Sequence, residues 1–248
     1  MRYLYMRKIN FFLVLLLAFF YICFYGNART QRTNSNVKNL TIKQQSIISI
    51  AAFTATGELE ELKGALNEGL NNGLTVNEIK EILVHTYAYA GFPRSLNGIN
   101  TFMSVLEERE KNGIKDEIGA FASPVPNNLD KNEYGENIRT ALTRRTSKPA
   151  YQTFTPVIDT FLKEHLFADL FIRDNLDHLS REITTISILS NLGNVNAQLQ
   201  SHMNITMNLG LTYDQMNNFI MVLEEKVSRE KAENAQKVLD IVVESRTK

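Results

Sequence analysis

The chain is predicted to be all-α and to consist of two tandem copies of one helical unit. Three observations predict this. Apolar residues recur at intervals of three and four rather than alternating, which is the period of a buried helix face and not of a strand. Chain-breaking residues are sparse, with five prolines and twelve glycines in 248 residues, and they fall between the apolar runs. The sequence also repeats itself: GLTVNEIKEIL from Gly73 and GLTYDQMNNFI from Gly210, 137 residues apart, share Gly-Leu-Thr and the same apolar spacing. Upstream, LTIKQQSIISIAAFTATG and LSREITTISILSNLG correspond with Leu40 on Leu179. One unit stacked on its copy accounts for the length.

At the N-terminus, Arg2, Arg7 and Lys8 precede an uncharged run from Phe11 to Tyr25, and Gly26-Asn27-Ala28 follows. This is the pattern of a secretory signal peptide over residues 1–28. The alternative, an uncleaved membrane anchor, needs about 20 apolar residues, more than this run supplies. An exported product, periplasmic or secreted, is therefore expected. Cleavage after Ala28 would remove Cys23, the only cysteine, and with it any disulfide or thiol chemistry. It would also leave 24 basic against 27 acidic residues, a balance that does not favour nucleic acid.

Residues 29–39 are polar and read as a flexible tether. The first unit spans residues 40–113. Thr41 with Gln44 forms a capping box that opens a helix in which Ile47, Ile48, Ala51 and Ala52 make a stripe. Leu59, Leu62, Leu66 and Leu70 share a face of the next, ended by Asn71-Asn72-Gly73. Thr75 and Glu78 cap a third helix, with Ile79, Ile82, Leu83, Thr86 and Ala90 on one face and Gly91 and Pro93 as its stop. A fourth helix, from Asn97, closes the unit. Residues 114–150, with Pro124, Pro126, Tyr134 and Gly135, read as a connector. In the second unit, residues 151–248, Ile158, Phe161, Leu162 and Leu166 are the expected buried face, a helix begins at Ser180, and Thr212 with Gln215 makes a further capping box.

Chemistry concentrates at a few positions. Glu78, Glu81, His85 and Tyr89 recur at spacings of three and four and line one helix side. A carboxylate one turn before a histidine can orient the ring and raise its basicity, which suits proton transfer near neutral pH; the alternative is a histidine hydrogen-bonded at a helix boundary. Glu182 and His202 lie twenty residues apart on helices joined by the turn Leu192-Gly193-Asn194, which can fold them together. The histidines are complementary, with Ala65 opposite His202 and Val222 opposite His85 in the repeat alignment; one shared pocket is the simpler reading, and two degenerate helices are the alternative. Arg94 and Arg173 are candidate anion contacts, because a guanidinium fork binds carboxylates bidentately; Arg173-Asp174 can equally belong to a structural ion-pair network. His165 and His178 look like surface or boundary residues. No metal-ligand spacing, phosphate loop or nucleophile elbow is present, so no metal and no cofactor are expected.

NEIKEILVHTYAYAGFPRSLNGI resembles the helix and loop signature of the carboxymuconolactone decarboxylase family, written around E-I-x-E-x-L and Y-x-G-x-P. The segment from FLKEHL to NLGLT resembles a second copy, with the family's Arg-Glu helix start matched by Arg181-Glu182. The resemblance implies an alkylhydroperoxidase-like helical fold assembled into trimers or hexamers, and a small, anionic substrate. It implies either decarboxylation of a carboxylated lactone, with Glu182, His202, His85 and Tyr89 around the pocket and Arg94 or Arg173 on the carboxylate, or peroxidase chemistry through a Cys-x-x-Cys pair. Val195 and Gln198 stand where those thiols would be, which disfavours the peroxidase branch. A non-catalytic helical oligomer that binds a ligand is the competing class.

Overall fold

The computed structural model describes residues 38–147 and 149–247. The expected signal peptide, Cys23 and nearly all of the tether lie outside the described residues. From Asn39 onward the chain forms one compact unit. Among the described residues there are ten α-helices, one π-helical segment and no strand, and no helix is long and apolar enough to cross a membrane.

Three helices form the first half. Helix α1 (Ile42–Thr56) and α2 (Leu59–Asn71) are followed by α3 (Val76–Lys111). Thr41 and Thr75 each accept a hydrogen bond from the backbone N–H three residues on, and the Gln44 and Glu78 side chains reciprocate, so both predicted capping boxes are formed. Gly57 ends α1 in the left-handed region, at φ 77°, where a Cβ is costly. The expected stripe on α1 is too narrow: residues from Ser46 to Ala55 are buried on every side.

The third and fourth predicted helices run on as one element. Gly91, at φ 81° and ψ 162°, breaks the helical backbone, and the chain resumes a helix at once. Pro93 sits in the first turn after the break, where its missing N–H costs nothing. Gly91 is therefore a one-residue corner.

Helix α4 (Lys131–Thr143), opened by Asp130, lies within the stretch read as a connector. Gly135, a turn signal in the sequence, lies mid-helix, where a Cβ would collide with the Lys163 carbonyl. Its partner is backbone and cannot swing away. On an open helix, Gly→Ala stabilises by about 1 kcal/mol. Here Gly135→Ala is expected to reverse that sign and destabilise by about 1–3 kcal/mol, read as a lower urea midpoint.

Short helices α5 (Ala150–Phe154) and α6 (Pro156–Thr160) lead into a π-helical segment, Phe161–Leu170. Its wider turn shifts the buried face. Phe167, Ala168, Leu170 and Phe171 are buried, whereas Phe161, expected inside from a 3.6-residue period, is 61% exposed and Ile158 is 40% exposed. Phe167, Leu170 and Phe171 make a small second core with Leu142 of α4 and Ile205.

Helices α7 (His178–Leu192), α8 (Asn196–Asn208), α9 (Tyr213–Lys226) and α10 (Arg229–Thr247) complete the fold. Helix α7 begins earlier than the expected Ser180, because Asp177 is the cap and accepts from the Ser180 N–H. Helices α1 and α7 pack on each other at the centre, with α2 and α3 against α1 and with α8 and α10 against α7. Being central, α7 is buried from Ser180 to Asn191. Its Thr184, Thr185, Ser187 and Ser190 hydroxyls each donate to the carbonyl four residues back, which satisfies them without an outside partner.

Candidate active site

Helix α3 meets the buried start of α7 in two rungs, one helical turn apart. Glu81 accepts from the Arg181 guanidinium at 3.0 Å, and His85 Nε2 lies 2.8 Å from the Thr185 hydroxyl. Moving four residues along each helix leads from one rung to the next, so α3 and α7 run parallel here with their i, i+4 faces in register. Glu182, the next residue of α7 after Arg181, points a different way, and its Oε2 lies 2.8 Å from His202 Nδ1 on α8. The left-handed pair Gly193 and Asn194 makes the reversal that returns α8 along α7.

Tyr89 joins the two parts. Its ring centroid is 5.4 Å from that of His85 and 5.5 Å from that of His202, the latter edge to face. Phe171 closes the other side of His85 at 5.6 Å. Thus His85, Tyr89, Glu182 and His202 are brought into one cluster within a single chain.

Proton positions follow from the hydrogen bonds. The Thr185 hydroxyl donates its one proton to the Arg181 carbonyl, so towards His85 it accepts. His85 is then the Nε2–H tautomer, and its Nδ1 is a bare, buried acceptor without a partner among the described residues. Burial, the Arg181 charge and His202 together hold its pKa well below the usual 6.5. Burial, with Glu182 nearby, pushes the Tyr89 phenol far above its usual 10, so it stays protonated. The Tyr89 hydroxyl lies beside Thr185 without hydrogen-bond geometry to it, and Glu182 Oε1 and Arg181 Nε and Nη1 are likewise buried and unpartnered. Unspent donors and acceptors are therefore concentrated in and beside this cluster.

A buried neutral histidine must take up a proton on unfolding in acid. Because the folded pKa of His85 is depressed, its contribution is fully present above pH 6.5 and is lost as pH falls through that value towards the folded pKa, at up to about 1.4 kcal/mol per pH unit. Between pH 7 and pH 5 the urea midpoint is expected to fall less for His85→Gln than for the parent protein.

The remaining predicted residues sit elsewhere. Glu81 does not orient His85: it faces Arg173 and Arg181. Its burial would raise its pKa, but hydrogen bonds and charge from both arginines outweigh this and lower it. The Arg173 guanidinium is committed to Glu81, with Nε at 3.0 Å from both oxygens and Nη2 at 2.5 Å from Oε1. Arg173 thus belongs to an ion-pair network with Glu81, while the neighbouring Asp174 accepts from Ser123. Arg94 is exposed, laid over Gly57 at the end of α1, and makes none of the cluster's contacts. Glu78 is spent on its capping box and on Lys43. His178 bonds the Phe171 carbonyl, and His165 bonds Asp169 and the Tyr87 hydroxyl. Among the described residues no cluster of His, Cys, Asp and Glu could hold a metal ion. Thr185 and the Glu81–Arg181 rung escaped sequence reasoning; the signal was the matching i, i+4 pairs Glu81/His85 and Arg181/Thr185.

An all-helical protein with a buried carboxylate–histidine pair beside a protonated tyrosine is thus the class defined by fold and site. Residues 27–101 match the sequence model of the carboxymuconolactone decarboxylase family. Its sequence is 39% identical over 64 residues to 4-carboxymuconolactone decarboxylase of Acinetobacter baylyi, covering 26% of this chain and 45% of that protein. The chain thus spans less than half the length of the curated relative. The family match contains His85, Tyr89 and Arg94; Arg173, Glu182 and His202 lie beyond it.

Proposed function

We propose that the protein is a cofactor-free carboxy-lyase acting on a small carboxylated lactone or related acid. The observation that carries this reading is the buried Glu182–His202 hydrogen bond with Tyr89 against the same imidazole. Loss of CO2 breaks one carbon–carbon bond, leaves the electron pair on an enolate-like anion and ends with a proton added to carbon. Glu182 Oε2 accepts from His202 Nδ1–H, which leaves Nε2 as the nitrogen that gives and regains the transferred proton. Tyr89, kept un-ionised, is a donor for the developing enolate oxygen. His85, held neutral, cannot be the acid at neutral pH and instead packs between Tyr89 and Phe171.

The peroxidase reading needs a dithiol, and the single cysteine of the sequence is Cys23. The tandem duplication belongs to the same proposal. It is supported by the equal lengths of α1 and α7, 15 residues each, and of α2 and α8, 13 each, and by the left-handed Gly73 and Gly210 before Leu-Thr. The proposal also includes export, supported by the charge and apolar pattern of residues 1–28, and a trimeric or hexameric assembly, supported by the exposed Phe92, Leu96 and Met103 along α3.

The test is CO2 release by the purified protein from a panel of carboxylated lactones. Turnover on at least one is expected. No turnover on any of them, with saturable binding of one, would replace the enzyme by a ligand-binding module.

A further inference from the structure

Where the C-terminal end of α4 meets α8 there is a cavity of about 140 Å³, lined by Arg144, Arg145, Ser201, Asn204 and Asn208 with Ile205. It includes neither Glu182 nor His202. Its hydrogen-bonding capacity is lopsided. The acceptors are already taken: Arg246 Nη1 donates to Asn204 Oδ1 at 2.8 Å and to Asn208 Oδ1 at 3.0 Å, and Arg144 Nη2 donates to the Asn208 carbonyl at 2.8 Å. Thr143, at its edge, spends its hydroxyl on the Arg139 carbonyl and accepts from the Arg145 N–H.

What remains is almost all donor. Among the described residues, the Arg145 guanidinium makes no hydrogen bond or ion pair, nor does the Ser201 hydroxyl, while the Asn204 amide N–H2 and the other nitrogens of Arg144 are also unspent. No acidic side chain lines the cavity. Arg144 and Arg246 have a structural task, bonding carbonyls in the last turns of α8. Arg145 has none. It is presented here because Arg144 ends α4 in the left-handed region at φ 53°, a conformation uncommon for a residue other than glycine. That turn places two consecutive arginines at one cavity.

Donor-rich capacity with fixed positive charge selects an oxyanion. We infer that this cavity is an oxyanion-binding subsite, with Arg145, Ser201 and Asn204 as its ligands and Arg144 supplying further charge, and that it takes a phosphate or carboxylate group. The inference does not depend on the reading of Glu182 and His202.

Inorganic phosphate and malonate, titrated separately into the purified protein at constant ionic strength and followed by calorimetry, test it. Saturable binding of at least one is expected, and the tighter of the two identifies a phosphorylated or a carboxylated ligand as the source. Arg145→Gln should raise the Kd about tenfold or more, as for loss of a charge-assisted bidentate contact, and Ser201→Ala should raise it less. The Arg145 side chain is exposed and without partners among the described residues, so its replacement leaves the fold intact. His202→Gln should bind like the parent. Saturation by neither ion, or an Arg145→Gln protein that binds as tightly as the parent, overturns the subsite; binding abolished by His202→Gln but not by Arg145→Gln would place the anion in the other cluster and overturn it equally.

Discussion

Glu81→Ala is expected to destabilise the protein by about 3–5 kcal/mol, the cost of leaving a buried charge without its counter-ion. The charge is that of Arg181, which is fully buried and whose guanidinium has Glu81 as its only carboxylate partner among the described residues. Its Nε and Nη1 are already unpartnered, and Nη2 also bonds the Arg173 carbonyl. Burial by itself lowers the pKa of Arg181, so removing Glu81 strands a desolvated cation with one carbonyl for company. Arg173 is affected less: its side chain is 40% exposed and can turn to solvent. Two further variants separate loss of the ion pair from simple cavity formation. Glu81→Gln keeps the volume and one acceptor but not the charge, and should fall between the parent and Glu81→Ala. The double variant Glu81→Leu/Arg181→Leu removes both charges and should recover most of the lost stability. Urea denaturation with unchanged slope reads all three. A double variant no more stable than Glu81→Ala would show that the ion pair is not what holds α3 against α7.

The helix starts were legible because local rules and tertiary packing agree there. Thr41, Thr75 and Thr212 each carry a capping partner three residues on, and each box is formed. Such signals are written within four residues and need no knowledge of what lies across the core. Legibility failed where a neighbour decides the outcome. Gly135 signals a turn when read alone, yet it is glycine so that α4 can approach the Lys163 carbonyl. Phe161 and Ile158 fit a buried face only at a 3.6-residue period, and the segment from Phe161 adopts π geometry instead. Helix α1 shows one stripe in the sequence, although α7 covers it from a second side.

The candidate site divides along the same line. The spacing of Glu81, His85 and Tyr89 correctly puts them on one side of α3, but spacing cannot say which neighbour each will choose. Glu81 chose the two arginines, because a buried carboxylate gains more from paired guanidiniums than from a neutral imidazole. His85 took a hydroxyl instead. Arg94 and Arg173 are candidates on charge alone; one is exposed, and the other is neutralised by Glu81. The Glu182–His202 juxtaposition was readable because a single short reversal, Gly193-Asn194, connects their helices.

His202→Gln is expected to lower kcat on the carboxylated lactone that the protein turns over by about 10²–10⁴-fold, the usual contribution of a positioned proton-transfer group. Glutamine is the informative replacement. Glu182 is fully buried, so His202→Ala would leave its carboxylate unpaired, and lost activity could then be blamed on a damaged fold. A glutamine amide can still donate to Glu182 Oε2 and holds the pair together, but it cannot give up and regain a proton. The unfolding midpoint of His202→Gln should therefore stay close to that of the parent while turnover is lost. Glu182→Gln should produce a smaller fall in kcat, since the imidazole remains but the partner that fixes its tautomer is changed. In both variants KM should move little, because neither group is assigned to hold the substrate's carboxylate, and a lost proton-transfer step reduces kcat and kcat/KM together. A His202→Gln protein that folds normally and turns over at the parent rate would remove His202 from the chemistry and leave the buried pair a purely structural tie between α7 and α8.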